Sequence, residues 1–169
     1  EDAWFGAQPQ FHGEITAENV RLYNFSDPIT VPESMLDFEL GTSWQSDKLY
    51  FNVNLYWMEY FDELVKSGQT DIWGNPIDGN APRTRHYGVE LTAAAELLNN
   101  TAGRLKITAN ATLSKNDIVE YEFKTYGGES VSLEGNSIAG FPGAMGNLMA
   151  EYSLGGFYAN VTGRFVGDF

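Results

Sequence analysis

The sequence predicts an all-β fold, an antiparallel up-and-down meander of about six long strands that forms a segment of a transmembrane β-barrel. Three observations predict it. Apolar and polar residues alternate over stretches longer than the five or six residues usual for a soluble strand. The connections between these stretches run short, long, short, long, short. The polar face is mostly Asn, Thr, Ser and Tyr with scattered charges, where a soluble sandwich would present Lys, Glu and Arg to water.

The first strand is "MLDFELGTSW", with Leu36, Phe38, Leu40 and Trp44 on one face and Asp37, Glu39 and Ser43 on the other. A turn at residues 45–48 leads to the second, "KLYFNVNLYWMEYF". Here Leu49, Phe51, Val53, Leu55 and Trp57 oppose Tyr50, Asn52, Asn54 and Tyr56. The third, "RHYGVELTAA", sets Tyr87, Val89, Leu91 and Ala93 against His86, Gly88, Glu90 and Thr92. The fourth, "RLKITANATLSK", sets Leu105, Ile107, Ala109, Ala111 and Leu113 against Lys106, Thr108, Asn110, Thr112 and Ser114. In the fifth, "GNLMAEYS", Leu148, Ala150 and Tyr152 share a face. In the sixth, "FYANVTGRFVG", Phe157, Ala159, Val161 and Phe165 oppose Tyr158, Asn160, Thr162 and Arg164.

Strands one and two are joined by about four residues, three and four by roughly eight ("ELLNNTAG"), five and six by about three ("LGG"). About twenty residues separate strands two and three, and roughly 27 separate four and five. Structureless loops of that length are uncommon in compact domains, but outer-membrane barrels pair tight periplasmic turns with long outer loops. Residues 1–34 are then a further extracellular loop region and residues 35–169 the barrel segment. The outward band would meet outer-membrane lipid, and Asn52, Asn54, Tyr56, Thr108, Asn110, Asn160 and Thr162 would face the lumen. Trp44 at the inner end, and Trp57, Tyr60 and Phe61 at the outer end, are the expected interfacial aromatics. Strands of about ten residues, tilted, cross a bilayer. Six strands cannot close a barrel, for which eight are the usual minimum, so a fragment of a larger barrel is expected, with Phe169 as a truncation point.

The totals agree. Ten Lys plus Arg against 23 Asp plus Glu give a net charge of −13 over 169 residues, which argues against nucleic-acid binding. With no cysteine there is neither a disulfide framework nor a thiolate metal site. No apolar run is long enough for a transmembrane helix, and residues 1–10 lack the basic start and apolar core of a signal peptide. Aromatics at 14% and 18 glycines fit alternating strands and their turns.

Four stretches carry a family likeness: "MLDFELGTSW", "FNVNLYWMEYFDELVKSGQ", "NAPRTRHYGVELTA" and "IAGFPGAMGNLMAEYSLGGFYANVTGRFVG". In this order and spacing they resemble the C-terminal part of the barrel of TonB-dependent outer-membrane receptors, over roughly residues 35–169. The resemblance implies a 22-stranded barrel with an N-terminal plug in the bacterial outer membrane. It also implies import of a scarce small ligand, such as an iron–siderophore complex, cobalamin or an oligosaccharide, with energy relayed by TonB. Neither a plug nor a TonB box stands in this sequence, so the TonB complex would act through a region outside it.

No catalytic constellation appears: His12 and His86 are far apart, with neither HExxH nor a nucleophile elbow, and the protein is read as no enzyme. No metal site and no cofactor are expected, and His86 is read as a residue at a strand entrance. "DIWGNPIDGNAPRTR" lacks the spacing and terminal glutamate of an EF-hand, and Pro76 and Gly79 make it turn chemistry. Trp73, Arg83 and Arg85 in this outer segment are the candidate ligand-binding residues. "EYFDELVK" and "AAAELLNN" have helical spacing, yet their places at strand ends favour strand extension and a turn. Two other readings stay open: a soluble β-sandwich binding carbohydrate through exposed aromatics, and a small complete outer-membrane barrel with a structural or adhesive role.

Overall fold

A computed structural model of the chain describes residues 31–70, 76–124 and 128–168. Six strands form one sheet in the order β1-β2-β3-β4-β7-β8. They are β1 (Ser34–Gln45), β2 (Leu49–Thr70), β3 (Pro76–Asn100), β4 (Gly103–Glu120), β7 (Ala144–Leu154) and β8 (Phe157–Val166). Between β4 and β7 a small ribbon pairs β5 (Glu122–Lys124) with β6 (Ser130–Ser132). Every pairing is antiparallel, and each strand of the large sheet pairs only with the next along the chain in that sheet. The all-β meander is therefore the fold, and the described sheet is open, not closed into a barrel.

Register decides which residues share a face, because directly opposed residues point the same way. One row runs Trp44, Phe51, Ala93, Ala109 and Leu148; the next runs Val53, Leu91, Ala111 and Gly146. Beside them lie Leu40, Leu55, Val89 and Leu113, then Ile107, Ala150 and Val161. All four are apolar from strand to strand, apart from Thr42 opposite Val53 on β1. The opposite face carries Asn52, Thr92, Asn110, Asn147 and Arg164 in one row and Tyr56, Gly88 and Ser114 in another. Among the described residues no second sheet covers the apolar face: Leu40 is 72% exposed, Leu113 51% and Val161 73%. An uncovered face this wide demands a partner, and a bilayer supplies one.

The strands are longer than the alternation suggests. β2 has 22 residues and β3 has 25, and their ladder continues from Glu63 opposite Ala81 to Lys66 opposite Asp78. The twenty-residue loop expected there is mostly an extension of this hairpin, and "EYFDELVK" is strand. Likewise β3 reaches Asn100 and β4 starts at Gly103, so Thr101 and Ala102 make the turn in place of the roughly eight residues expected. A bulge at Leu97 absorbs the extra residue, since Glu96 faces Lys106 and Leu98 faces Leu105. The β7–β8 hairpin turns through Gly155 and Gly156, and Gly155 takes φ 58°, as the first position of a two-residue hairpin turn requires.

One backbone feature reorganises the outer end. Asp62 adopts φ 58°, the left-handed region. Phe61 faces Arg83 and Glu63 faces Ala81, so Asp62 stands opposite Pro82, which has no N–H to give the ladder. The Asp62 carbonyl instead accepts the side-chain amide of Asn80. Past this point the phase of β2 switches: Glu59 lies on the apolar side with Trp57, whereas Glu63 meets Thr84 and His86 on the polar side. A matching bulge in β4 leaves Val119 unpaired, with Glu120 opposite Arg83 and Ile118 opposite Thr84. The switch gathers Val65, Ala81, Ile118, Tyr121 and Ile138 into a small buried core, with Leu133 packed against it. Asp62→Val should cost about 1–2 kcal/mol, since a β-branched residue is poorly tolerated at positive φ, while Asp62→Gly should cost nothing. Denaturant unfolding in detergent checks both; equal costs would mean the phase switch does not depend on this conformation.

Candidate functional site

A cavity of about 380 Å³ opens on the polar face, next to that core. β1 and β2 bring Glu39, Asn54, Tyr56, Tyr60 and Glu63; β3 and β4 bring His86, Glu90, Ser114 and Asn116; the segment before β7 brings Phe141 and Pro142. Alternation explains the first two groups except Glu63, because each strand sends every second residue to this side; Glu63 joins them through the phase switch at Asp62. Gly88 makes room for one of them. A Cβ at Gly88 would stand 2.8 Å from the Tyr56 hydroxyl and 2.3 Å from the Leu113 carbonyl oxygen, so only glycine lets Tyr56 lie across β3. Lower in the cavity, the Asn54 Nδ2 donates to Glu39 Oε2 at 3.2 Å and to Glu90 Oε2 at 3.4 Å.

The upper part is a continuous hydrogen-bond relay. Ser114 Oγ donates to the Pro142 carbonyl at 3.0 Å, which leaves it to accept from Asn116 Nδ2 at 3.1 Å. Asn116 thereby turns its Oδ1 to His86 Nδ1, 2.8 Å away, and Nδ1 must be the donor. On the other side of the ring, Nε2 lies 3.1 Å from Glu63 Oε2 and 3.2 Å from Oε1, and Thr84 donates its hydroxyl to the same carboxylate. Both ring nitrogens thus face acceptors. His86, Glu63, Thr84 and Asn116 are all buried. Edge-on rings flank the imidazole: Tyr60 at 5.2 Å and Phe141 at 4.9 Å between centroids.

At the same height, on the apolar side, lies a charged and aromatic rim. Trp57 and Tyr87 stack with centroids 5.0 Å apart, and the Arg85 guanidinium sits 4.7 Å above the Trp57 ring. Glu59 Oε2 accepts Trp57 Nε1 at 3.2 Å and Arg85 Nε at 2.8 Å, and Glu59 Oε1 pairs with Arg83. Lys115 pairs with Asp117 at 2.5 Å beside them. The Arg85 hydrogen bond, against burial and helped by Arg83, holds the Glu59 carboxyl below the ordinary carboxylate range. An abrupt change from unbroken aliphatic rows to stacked aromatics and then ion pairs is what the upper border of a lipid band requires. Tyr87 ends the apolar rows on β3, and His86 and the relay lie past it.

The structure distributes the sequence candidates as follows. Asn54 and Tyr56 line the cavity; Asn52, Thr108, Asn110, Asn160 and Thr162 share its face by register. Within that face Asn147 Nδ2 donates to Asn110 Oδ1 at 2.9 Å and Asn160 Nδ2 to the Tyr158 hydroxyl at 3.3 Å. Trp44 opposes Phe51 near the β1–β2 turn, Trp57 lies in the rim, and Phe61 opposes Arg83. Tyr60 stands on the cavity face against His86. Arg83 and Arg85 are engaged by Glu59, and Trp73 lies outside the described residues. Sequence reasoning missed Glu63, Asn116 and Phe141, and read His86 as a strand entrance only. Glu39 and Glu90 were legible as polar-face residues but not as partners of Asn54.

A family model, TonB dependent receptor-like, beta-barrel, matches residues 13–169. A comparison with curated proteins finds no match. Alternating faces, neighbour-only antiparallel pairing, a lipid-type band and a family match over nearly the whole chain agree, and the chain belongs to the TonB-dependent receptor-like β-barrel family of the bacterial outer membrane.

Proposed function

We propose that this chain forms part of the barrel wall of a TonB-energised importer of a scarce small ligand: an iron–siderophore complex, cobalamin or an oligosaccharide. The observation that supports it is the cavity on the polar face, lined by Asn54, Tyr56, Glu90 and His86, with the apolar row Leu40, Leu55, Val89 and Leu113 behind its lower part and the Glu59–Arg85 rim behind its upper part. A wall of an aqueous passage needs those two surfaces back to back. Asn52, Asn54, Tyr56, Thr108, Asn110, Asn160 and Thr162 face the lumen in this reading, and Trp44, Trp57 and Phe61 meet the interfaces. Arg83, with 43% of its side-chain surface exposed, Arg85 and Trp73 belong to the outer part that an arriving anionic ligand meets first. TonB engages through a region outside these strands, together with a plug that closes the passage.

The test uses a strain lacking the parent receptor. Full-length parent should restore uptake of one of the three ligand classes, abolished by a protonophore, and residues 1–169 alone should restore none. The edges of β1 and β8, open among the described residues, lead to the second outcome, because unpaired backbone groups cannot stay in hydrocarbon. Energy-dependent uptake by residues 1–169 alone, or none by the parent with any ligand of the three classes, would contradict the proposal.

A further inference from the structure

We propose that residues 139–143 form a gate at the rim of the cavity, docked against its wall by a proton between His86 and Glu63. The gate is anchored at both ends. On one side Ile138 is buried in the small core and its N–H donates to the Asn116 carbonyl at 2.9 Å. On the other, the Ser114 N–H donates to the Gly143 carbonyl at 2.9 Å, next to the start of β7. Between them Gly140 takes φ 91°, a conformation that lets the chain turn sharply over the wall. The tip meets the wall at Phe141, edge-on to His86, and at Pro142, whose carbonyl accepts Ser114 Oγ. Phe141 is still 46% exposed, so its hold is local.

That hold runs through His86. Asn116 fixes Nδ1 as a donor, so Nε2 approaches the Glu63 carboxyl favourably only with a proton between them. Without it, a ring lone pair faces carboxylate oxygens at 3.1 and 3.2 Å. The ring then either leaves, removing the surface under Phe141, or keeps its one proton on Nε2 while the Asn116 amide flips and takes the Ser114 hydroxyl from the Pro142 carbonyl. Either change loosens the gate.

The groups around the ring favour the proton. β2 presents Glu63, Tyr60 and uncharged Met58; β3 presents Thr84 and, lower down, Glu90; β1 presents Glu39 across the cavity. β4 presents Asn116, with Asp117 acting from the other face, and the gate presents only uncharged Phe141 and Pro142. Burial, the largest single influence, lowers the His86 pKa, but the hydrogen bonds with Glu63 and Asn116 and the charges of Glu63 and Asp117 together raise it above the ordinary histidine value. The stabilising contribution is therefore complete at acid pH and is lost as pH rises through the raised value. The gate closes in acid and opens in alkali.

The experiment places a nitroxide on Ala139→Cys in the parent receptor, in lipid vesicles, with any cysteine elsewhere replaced. Ala139 is exposed and the chain itself has no cysteine, so the label sits alone on the gate. Spectra from about pH 5 to about pH 9 should pass from immobilised to mobile with one midpoint, on the alkaline side of the ordinary histidine value. His86→Gln should abolish the midpoint. Glu63→Gln should move it down by about one pH unit or more, since the opposite charge favouring the proton is gone. A label whose mobility does not change with pH, a midpoint that survives in His86→Gln, or one unmoved in Glu63→Gln would overturn the gate. No ligand or energy source enters this measurement, so its failure would leave the importer reading standing.

Discussion

Replacing Leu91 with arginine is expected to destabilise the receptor by about 2–4 kcal/mol, the range for a cation near the midplane on the lipid side of a barrel. Leu91 sits between Val53 and Ala111, in the apolar row two steps inside the Trp57–Tyr87 rim along β3, with apolar residues opposite it on both neighbouring strands. Its chain neighbour Thr92 is at almost the same depth but faces Asn52 and Asn110. Thr92→Arg should therefore cost well under half as much. Reversible unfolding in detergent or lipid compares the two directly, and equal costs would mean that the two faces do not differ in solvent.

At acid pH, where His86 keeps its proton, Glu63→Ala should be the most damaging single change outside the lipid band, at about 3–5 kcal/mol, because it strands a buried cation. At alkaline pH, where the ring is neutral, the cost should be clearly smaller. His86 is 5% exposed and has Glu63 as the carboxylate against its ring, and Thr84 would lose its acceptor too. Replacing both partners, Glu63→Leu with His86→Leu, should cost less than Glu63→Ala alone, since no charge is then buried unpaired. Denaturant midpoints at constant slope provide the comparison. A double variant as damaged as the single one would show that the pair acts only by filling space.

The faces were legible because period 2 is written directly into strands such as "FNVNLYW" and "LKITANATL", and one register places all their apolar residues together. The turns were less legible. "AAAELLNN" has no alternation, and the Leu97 bulge, which lets β3 run to Asn100, becomes visible only when β4 is laid beside it. The outer hairpin hid for a similar reason: Asp62 opposite Pro82 reverses the phase, so "EYFDELVK" imitates a helix while remaining extended. The relay was the least legible part. Glu63 meets His86 only through that phase reversal, Asn116 joins them from a third strand, and Phe141 arrives from a segment with no periodicity at all. Chemistry assembled across four segments leaves no local spacing to read.

The central claim is that one face of this sheet meets lipid and the other an aqueous lumen. Nitroxide scanning along β4 from residue 106 to residue 113, in the full-length receptor in lipid vesicles, tests it most directly. Collision rates with dissolved oxygen should peak at Ile107, Ala109, Ala111 and Leu113, and those with a water-soluble nickel chelate at Lys106, Thr108, Asn110 and Thr112, in strict opposition. Odd positions shielded from both reagents would place a second protein layer over the apolar face and contradict the account.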